Sequence, residues 1–434
     1  MTTVRNVSAT RSNGAAIESS VGVLTHDEPT ARVSRRARSV LGLRWVAIAV
    51  FSTFSLLSFL DRQLLAAVAP NLKVEFGLSN ADYGAVVSAF SIAYMLMTPL
   101  AGWFVDRVGL NAGAMVAMAF WSLASAVTGI PAGFGGLLLC RMALGLGEAA
   151  GIPSAAKANA VYLQPREMAL GTAVQQIGLF GGGIAAPLLV AAIAPQYGWR
   201  AAFVLAGALG FIWIPVWWLT SNRIRPVSRA TSGRSVAIAA VLRDTRMWSI
   251  VFCSLTIMTL YSLWLNWTTI FFVQQLGLTQ TDANRYFAWI PPIFATLGGF
   301  FGGWMALRRI DAGESAVRAR MRACWLVAPA ALVTAAVPWS GSPMLAVSGI
   351  AISFFVCMTL VTNLHVIPID LFGPERAAFT SSVLTFAFAL MQTVTAPVFG
   401  TLIDRFGFGP LCVVLSILPL VGLSIVSPAL RREP

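Results

Sequence analysis

The chain contains twelve apolar blocks, each long enough to cross a bilayer, and no other feature restricts its folding so severely. The blocks cover residues 45–69, 82–104, 112–130, 135–160, 168–193, 199–220, 247–274, 284–308, 322–339, 343–368, 378–403 and 409–430. About 20 apolar residues in helical form span the hydrocarbon core. These runs are apolar on all sides, whereas barrel strands alternate weakly over about ten residues, so an all-α integral membrane fold is expected. Composition agrees, since 57% of residues are hydrophobic and 11% charged, against roughly 25% charged in soluble proteins.

Charge supplies an orientation. Taking the N-terminus as cytoplasmic, the loops on that side and both tails hold 23 of the Lys and Arg residues, while the opposite loops hold Lys73, Arg200, Arg285 and Arg405. Positive charge collects on the cytoplasmic side of membrane proteins, so both termini are expected there. The formal charge of +13 is thereby a topological signal, and nucleic acid is not an expected partner. Residues 1–44 lack an apolar core of the signal-peptide kind and read as a disordered tail. A long basic loop at 221–246 separates six blocks (45–220) from six more (247–430). Cys140, Cys253, Cys324, Cys357 and Cys412 all fall inside blocks without metal-ligand spacing, which reads as small apolar packing with no disulfide. No nucleotide-binding motif, metal cluster or nucleophile–base arrangement is apparent, which points away from an enzyme, a bound cofactor or ATP-driven work.

The halves echo each other. Phe76-Gly-Leu-Ser-Asn-Ala-Asp82 matches Leu276-Gly-Leu-Thr-Gln-Thr-Asp282, and Ala186-Pro187 followed by Tyr197-Gly198 matches Ala396-Pro397 followed by Phe406-Gly407. Gly102-Trp-Phe-Val-Asp106-Arg107-Val-Gly109 resembles the signature that major facilitator transporters carry between spans two and three. Where that signature ends in a basic residue, Leu110 and Asn111 stand here. Leu137-Leu-Leu-Cys-Arg141-Met-Ala-Leu-Gly145-Leu-Gly147-Glu148 resembles a second pattern of the same superfamily. The resemblance implies two six-helix bundles with a substrate site near the midplane between them. It also implies that Asp106 and Arg107 act as a gating latch.

Ionisable groups inside spans are costly and mark candidate sites. Asp61 and Arg62 lie in the first span, Arg141 and Glu148 in the fourth. Seven residues separate Arg141 from Glu148, about two turns, so they share a face. Counted from the span ends at about 1.5 Å per residue, both arginines sit ~10 Å below the outer surface and Glu148 near ~20 Å. Two guanidinium groups at one level suit a carboxylate ligand, and the deeper acid suits a proton. Neutralised pairs that lock helices together are the structural alternative.

A narrower resemblance covers nearly all of 45–430. Ser58-Phe-Leu-Asp61-Arg62-Gln-Leu-Leu, Glu148-Ala-Ala-Gly-Ile-Pro153-Ser-Ala-Ala-Lys157-Ala and Gln164-Pro-Arg166-Glu167-Met-Ala are similar to segments of the anion:cation symporters, which include hexuronate and D-galactonate transporters. It implies a monomeric, proton-coupled carrier of a small organic anion in a bacterial inner membrane, driven by the proton gradient. Arg62 and Arg141 would bind or gate the carboxylate, Asp61 and Glu148 would carry protons, and Tyr94 would line the cavity. Gln175, Gln176, Tyr261, Asn266 and Gln392 are further cavity candidates. The eleventh span has Thr385, Phe386, Ala387 and Phe388 where the family pattern leads one to expect an Asn. Spinster-type lysolipid carriers share the Gly-x-Gly-Glu segment and form one alternative; a membrane sensor without turnover is another. Lys157 reads as snorkelling to the surface, His365 as a packing residue, and Asp404-Arg405 as solvated.

Overall fold

The computed structural model describes residues 29–164, 167–224, 238–373 and 376–431. The tail before residue 29, residues 225–237 of the 221–246 linker, Arg166 and Arg432 lie outside the described residues. The chain divides into two units, Met1–Gly42 and Leu43–Pro434. The described part of the first unit is helical from Pro29, where the sequence leads one to expect a disordered tail. The second unit holds the membrane helices.

With no water to bind peptide groups in hydrocarbon, each apolar block satisfies its own backbone as a helix. Among the described residues, twelve helices are long and apolar enough to span: α1 Leu43–Phe76, α2 Asn80–Val108, α3 Leu110–Val127, α4 Phe134–Tyr162, α5 Leu170–Tyr197, α6 Trp199–Arg223, α7 Thr245–Leu276, α8 Gln280–Asp311, α9 Ala316–Trp339, α10 Pro343–Phe372, α11 Phe379–Phe406 and α12 Phe408–Leu430. Several overrun their apolar blocks. α1 continues to Phe76 and α9 begins at Ala316 with Arg318, Arg320 and Arg322 in its first turns. Long basic side chains near a helix end can reach the interface, so charge does not stop the helix. Proline does disturb it: Pro329 lacks an N–H, and α9 is wound as a 3-10 segment over Ala328–Leu332.

The repeated motif has a physical identity. Ser79 caps α2 and receives the backbone N–H of Asp82, whose carboxylate answers the cap in a capping box. Thr279 likewise receives the backbone N–H of Asp282 at the start of α8, where the Asp282 carboxylate accepts from the Thr279 hydroxyl. Both halves thus begin their second helix with the same orphan-donor solution.

Packing repeats at an interval of six helices. α2 packs on α4 as α8 packs on α10, and α3 on α6 as α9 on α12. Two seams join the halves, α2 against α11 and α5 against α8. Some pairs close through glycine. A Cβ on Gly145 of α4 would stand 2.5 Å from the Phe90 carbonyl oxygen of α2, and one on Gly298 of α8 would collide with the Phe355 backbone of α10.

Because backbone cannot yield as a flexible side chain does, Gly145→Ala is expected to cost about 1–3 kcal/mol by overpacking. Gly135→Ala on the same helix meets nothing within 4 Å and is expected to stay within about 0.5 kcal/mol of wild type. Thermal unfolding of the two purified variants in detergent checks this, and equal melting temperatures would contradict it.

Candidate functional site

The site is built where α4 breaks. The helix runs Phe134–Glu148, turns through Ala149 and Ala150, and resumes over Gly151–Tyr162. Pro153 has no N–H for the Ala149 carbonyl, so the ladder is interrupted directly after Glu148. Glu148 has no exposed surface. Its Oε2 accepts from Arg62 Nε at 2.6 Å and from Ser58 Oγ at 3.0 Å, both one turn apart on α1. Its Oε1 has no partner among the described residues.

Arg62 lies deeper than the sequence indicates. α1 reaches Phe76, so Arg62 stands fourteen residues from that end, as Glu148 does from Phe134; both lie ~21 Å in. Arg62 is therefore level with Glu148, not with Arg141, and an ion pair forms. Its guanidinium lies 4.5 Å from the Tyr94 ring centre and 4.9 Å from that of Phe90. Arg141 stands 5.3 Å from the same Phe90 ring. Phe90 therefore joins the two cations, with Gly145 bringing α4 close enough to α2 for this contact. A desolvated cation–π contact of this kind is worth up to ~2 kcal/mol. Phe90 is unreadable as a site residue in the sequence, because an aromatic in an apolar span resembles any lipid-facing one.

Arg141 is the exceptional group. It is only 3% exposed, and its Nε and Nη1 have no hydrogen-bond partner among the described residues. A buried guanidinium without bonded acceptors is costly and is normally matched by an anion. Asp61 does not supply the match. It is buried, accepts a 2.5 Å hydrogen bond from Ser125 of α3, and forms no ion pair. With both acids ionised the four charges cancel; with one protonated the cluster carries a net positive charge.

The remaining candidates scatter. Tyr94 stacks under Arg62 with its hydroxyl unpartnered. Tyr261 packs edge-on to Phe354 at 4.9 Å. The Asn266 amide donates to the Ser262 carbonyl at 2.9 Å, and its own backbone carbonyl accepts from Tyr83 at 2.9 Å. Its donor is thus committed within the protein. Gln392 accepts from Ser91 of α2 at 3.2 Å, tying the halves. Gln175 accepts from Ser55 at 2.9 Å, whereas Gln176 is exposed and makes no polar contact among the described residues. A cavity of about 30 Å³ lies between the halves, lined by Gln63, Ala66, Gly183, Trp264, Thr268 and Phe354 among others. That is room for a few waters at most, and Arg62, Arg141 and Glu148 do not line it.

At the expected latch, Asp106 pairs with Lys157 of α4 at 2.9 Å, and Lys157 also donates to the Val105 carbonyl. Arg107 lies over Trp103 at 5.6 Å. His365 stands 3.4 Å from Ser254 Oγ. Asp404, expected to be solvated, accepts from the backbone N–H groups of Asn80 and Ala81.

A model of the Major Facilitator Superfamily matches residues 51–394. The chain therefore belongs to that superfamily, and it is a multi-pass membrane transporter. Its relatives narrow the picture. It is 27% identical over 416 residues to the hexuronate transporter of Escherichia coli strain K12, covering 92% of this chain and 96% of the relative. It is 28% identical over 286 residues to the galacturonate transporter of Dickeya chrysanthemi, covering 62% and 83%. To the D-galactonate transporter of Escherichia coli O6:H1 it is 26% identical, covering 87% and 94%. These relatives agree with the resemblance read from its motifs. Its fold matches a bacterial homologue of the human lysosomal transporter Spinster, solved in an inward-facing, occupied conformation, with a TM-score of 0.73, 20% identity, and coverage of 92% and 97%.

Removing one member of a buried ion pair strands the other charge at about 3–5 kcal/mol. Glu148→Ala alone is expected to lower thermal stability by that order, and Arg62→Met combined with Glu148→Leu by much less. If the double variant melts as low as the sum of its singles, the pair is not coupled as the geometry requires.

Proposed function

We propose that this transporter carries a small organic anion, of the sugar-acid class, together with protons into the cell. The observation that carries this reading is Arg141, buried and without a bonded acceptor beside the Arg62–Glu148 pair. A carboxylate entering between the arginines supplies the missing anion, and the fork geometry of guanidinium suits two carboxylate oxygens. The sugar-acid relatives support the substrate class. A cluster of two cations also favours a small anion over a lipid.

The protons follow from the same charges. A substrate carboxylate competes with Glu148 for Arg62, and the freed, wholly buried acid is then stabilised by taking a proton. Glu148 is thus the main proton site and Asp61, held by Ser125, the secondary one. Symport offsets the anion's charge, which otherwise costs about 2.3 kcal/mol per 100 mV against an inside-negative potential. With the basic loops cytoplasmic, the Asp106 face points inward and the chain sits in the bacterial inner membrane. Among the described residues, the side-chain hydrogen bonds between the halves lie from Ser91–Gln392 out to Asp404. The carrier described is then closed outward. Alternating access would break that seam and make another at the Asp106 face.

Binding is tested by thermal shift against hexuronates, aldonates and matched neutral sugars. A ligand at 100 times its Kd stabilises the folded state by about 2.7 kcal/mol, and only the acids are expected to do so. Arg141→Lys and Arg62→Lys keep the charge and lose the fork, and each is expected to weaken binding at least about tenfold, near 1.4 kcal/mol. Stabilisation by neutral sugars, or wild-type affinity in both Lys variants, would remove the carboxylate assignment.

Coupling is tested separately. Glu148→Gln imitates the protonated acid. It is expected to abolish accumulation driven by a pH gradient while counterflow of labelled for unlabelled substrate survives. Concentrative uptake by Glu148→Gln would move the proton site to Asp61.

A further inference from the structure

The outer seam between α2 and α11 has a feature that the transport reading does not require. The Asp404 carboxylate, at the end of α11, accepts from Asn80 N at 3.1 Å through Oδ1 and from Ala81 N at 3.0 Å through Oδ2. Those N–H groups open α2, where the helix dipole favours negative charge. Asn80 is further held by Lys73 through its side-chain oxygen and by Gln274 of α7 at 3.4 Å. Just below, the two helices close without side chains. A Cβ on Gly84 would overlap the Ala396 carbonyl and stand 2.7 Å from Pro397 Cα; one on Gly400 would overlap the Asn80 carbonyl and stand 2.7 Å from Ala81 Cα.

The seam α5–α8 lacks this lock. By the repeat, α5 carries Ala194 and Pro195 where α11 carries Asp404, and neither has a carboxylate. Beside that seam α8 is held to α1 instead: Asn284 donates to the Ala67 carbonyl at 2.8 Å, and Gln280 accepts from Asn71 N at 2.9 Å.

We infer that Asp404 is a gating residue that holds the outer seam shut by capping α2 across the two halves, with Gly84 and Gly400 as the steric permit for closure. Each half supplies one partner, so every bond is lost when α2 and α11 separate and none is replaced within either half. The contacts bind only the closed state, and a contact shifts a two-state equilibrium only by such a difference. Asp404 is itself exposed, so salt screens its part. The glycine contacts are not screened.

The inference rests on alternating access but not on any substrate, so it is tested without one. Spin labels on cysteines at Val74 and Phe406, exposed positions on α1 and α11, report the distance across the outer face in purified protein. The five native cysteines are buried and serve as an unlabelled background. Wild type is expected to give a mainly short distance. Asp404→Asn keeps the shape but loses the charge and one of the two acceptor oxygens, and is expected to raise the ratio of long to short distances about five- to tenfold. High salt is expected to reproduce part of that rise in wild type. Gly400→Ala is expected to raise the long population further, and insensitively to salt. A distance distribution for Asp404→Asn that superimposes on wild type at low salt would overturn the gating role, whatever the transport assays show. A short distance retained in Gly400→Ala would overturn the steric part.

Discussion

A carboxylate with no exposed surface can hold its charge in this bundle only while a cation touches it, and the Arg62–Glu148 contact is the interaction on which the site depends. Each neighbouring feature serves it. Pro153 ends the first segment of α4 directly after Glu148. Gly145, one turn earlier, lets α2 come near enough for Phe90 and Tyr94 to cover the guanidinium. Ser58 takes the remaining direction on the same carboxylate oxygen. The pair is thus held by groups from three helices through Oε2 alone, and Arg141 is left as the cation without a bonded acceptor among the described residues.

The same reasoning explains why the acids differ. Asp61 is next to Arg62 in sequence, but on a helix neighbours diverge by about 100°, and Asp61 turns to Ser125. It is buried within its own half, while Glu148 stands beside the group a substrate would engage. A carrier that couples an anion to protons needs one acid whose partner can be taken away, and only Glu148 has such a partner here.

Among the described residues, most hydrogen bonds between the halves have a backbone group on one side. Glycines at the α2–α11 seam and backbone N–H groups received by Asp404 and Gln280 make contacts that depend on exact helix position. Such contacts are all present or all absent, which suits a structure with two discrete arrangements better than a graded one.

The twelve helices, the twofold repeat and the presence of Arg62, Arg141 and Glu148 as charges inside spans were legible in the sequence. Each follows from a cost that composition reveals: apolar length sets the spans, and a charge within one must have a use. Even the repeated Ser79 and Thr279 motifs announced helix starts. Partners were not legible. Counting residues gives depth along one helix, and an overrun such as α1 reaching Phe76 shifts even that; it gives no direction around the axis toward a neighbour. Hence Arg62 meets Glu148 instead of sharing a level with Arg141, Asp106 pairs with Lys157, Phe90 joins two arginines, and Asp404 caps a helix more than three hundred residues away. Hydrophobicity is local, so the segments long enough to span and the charges that need partners can be read along the chain. Which charge answers which cannot, because it depends on the packing of helices remote from one another in the chain.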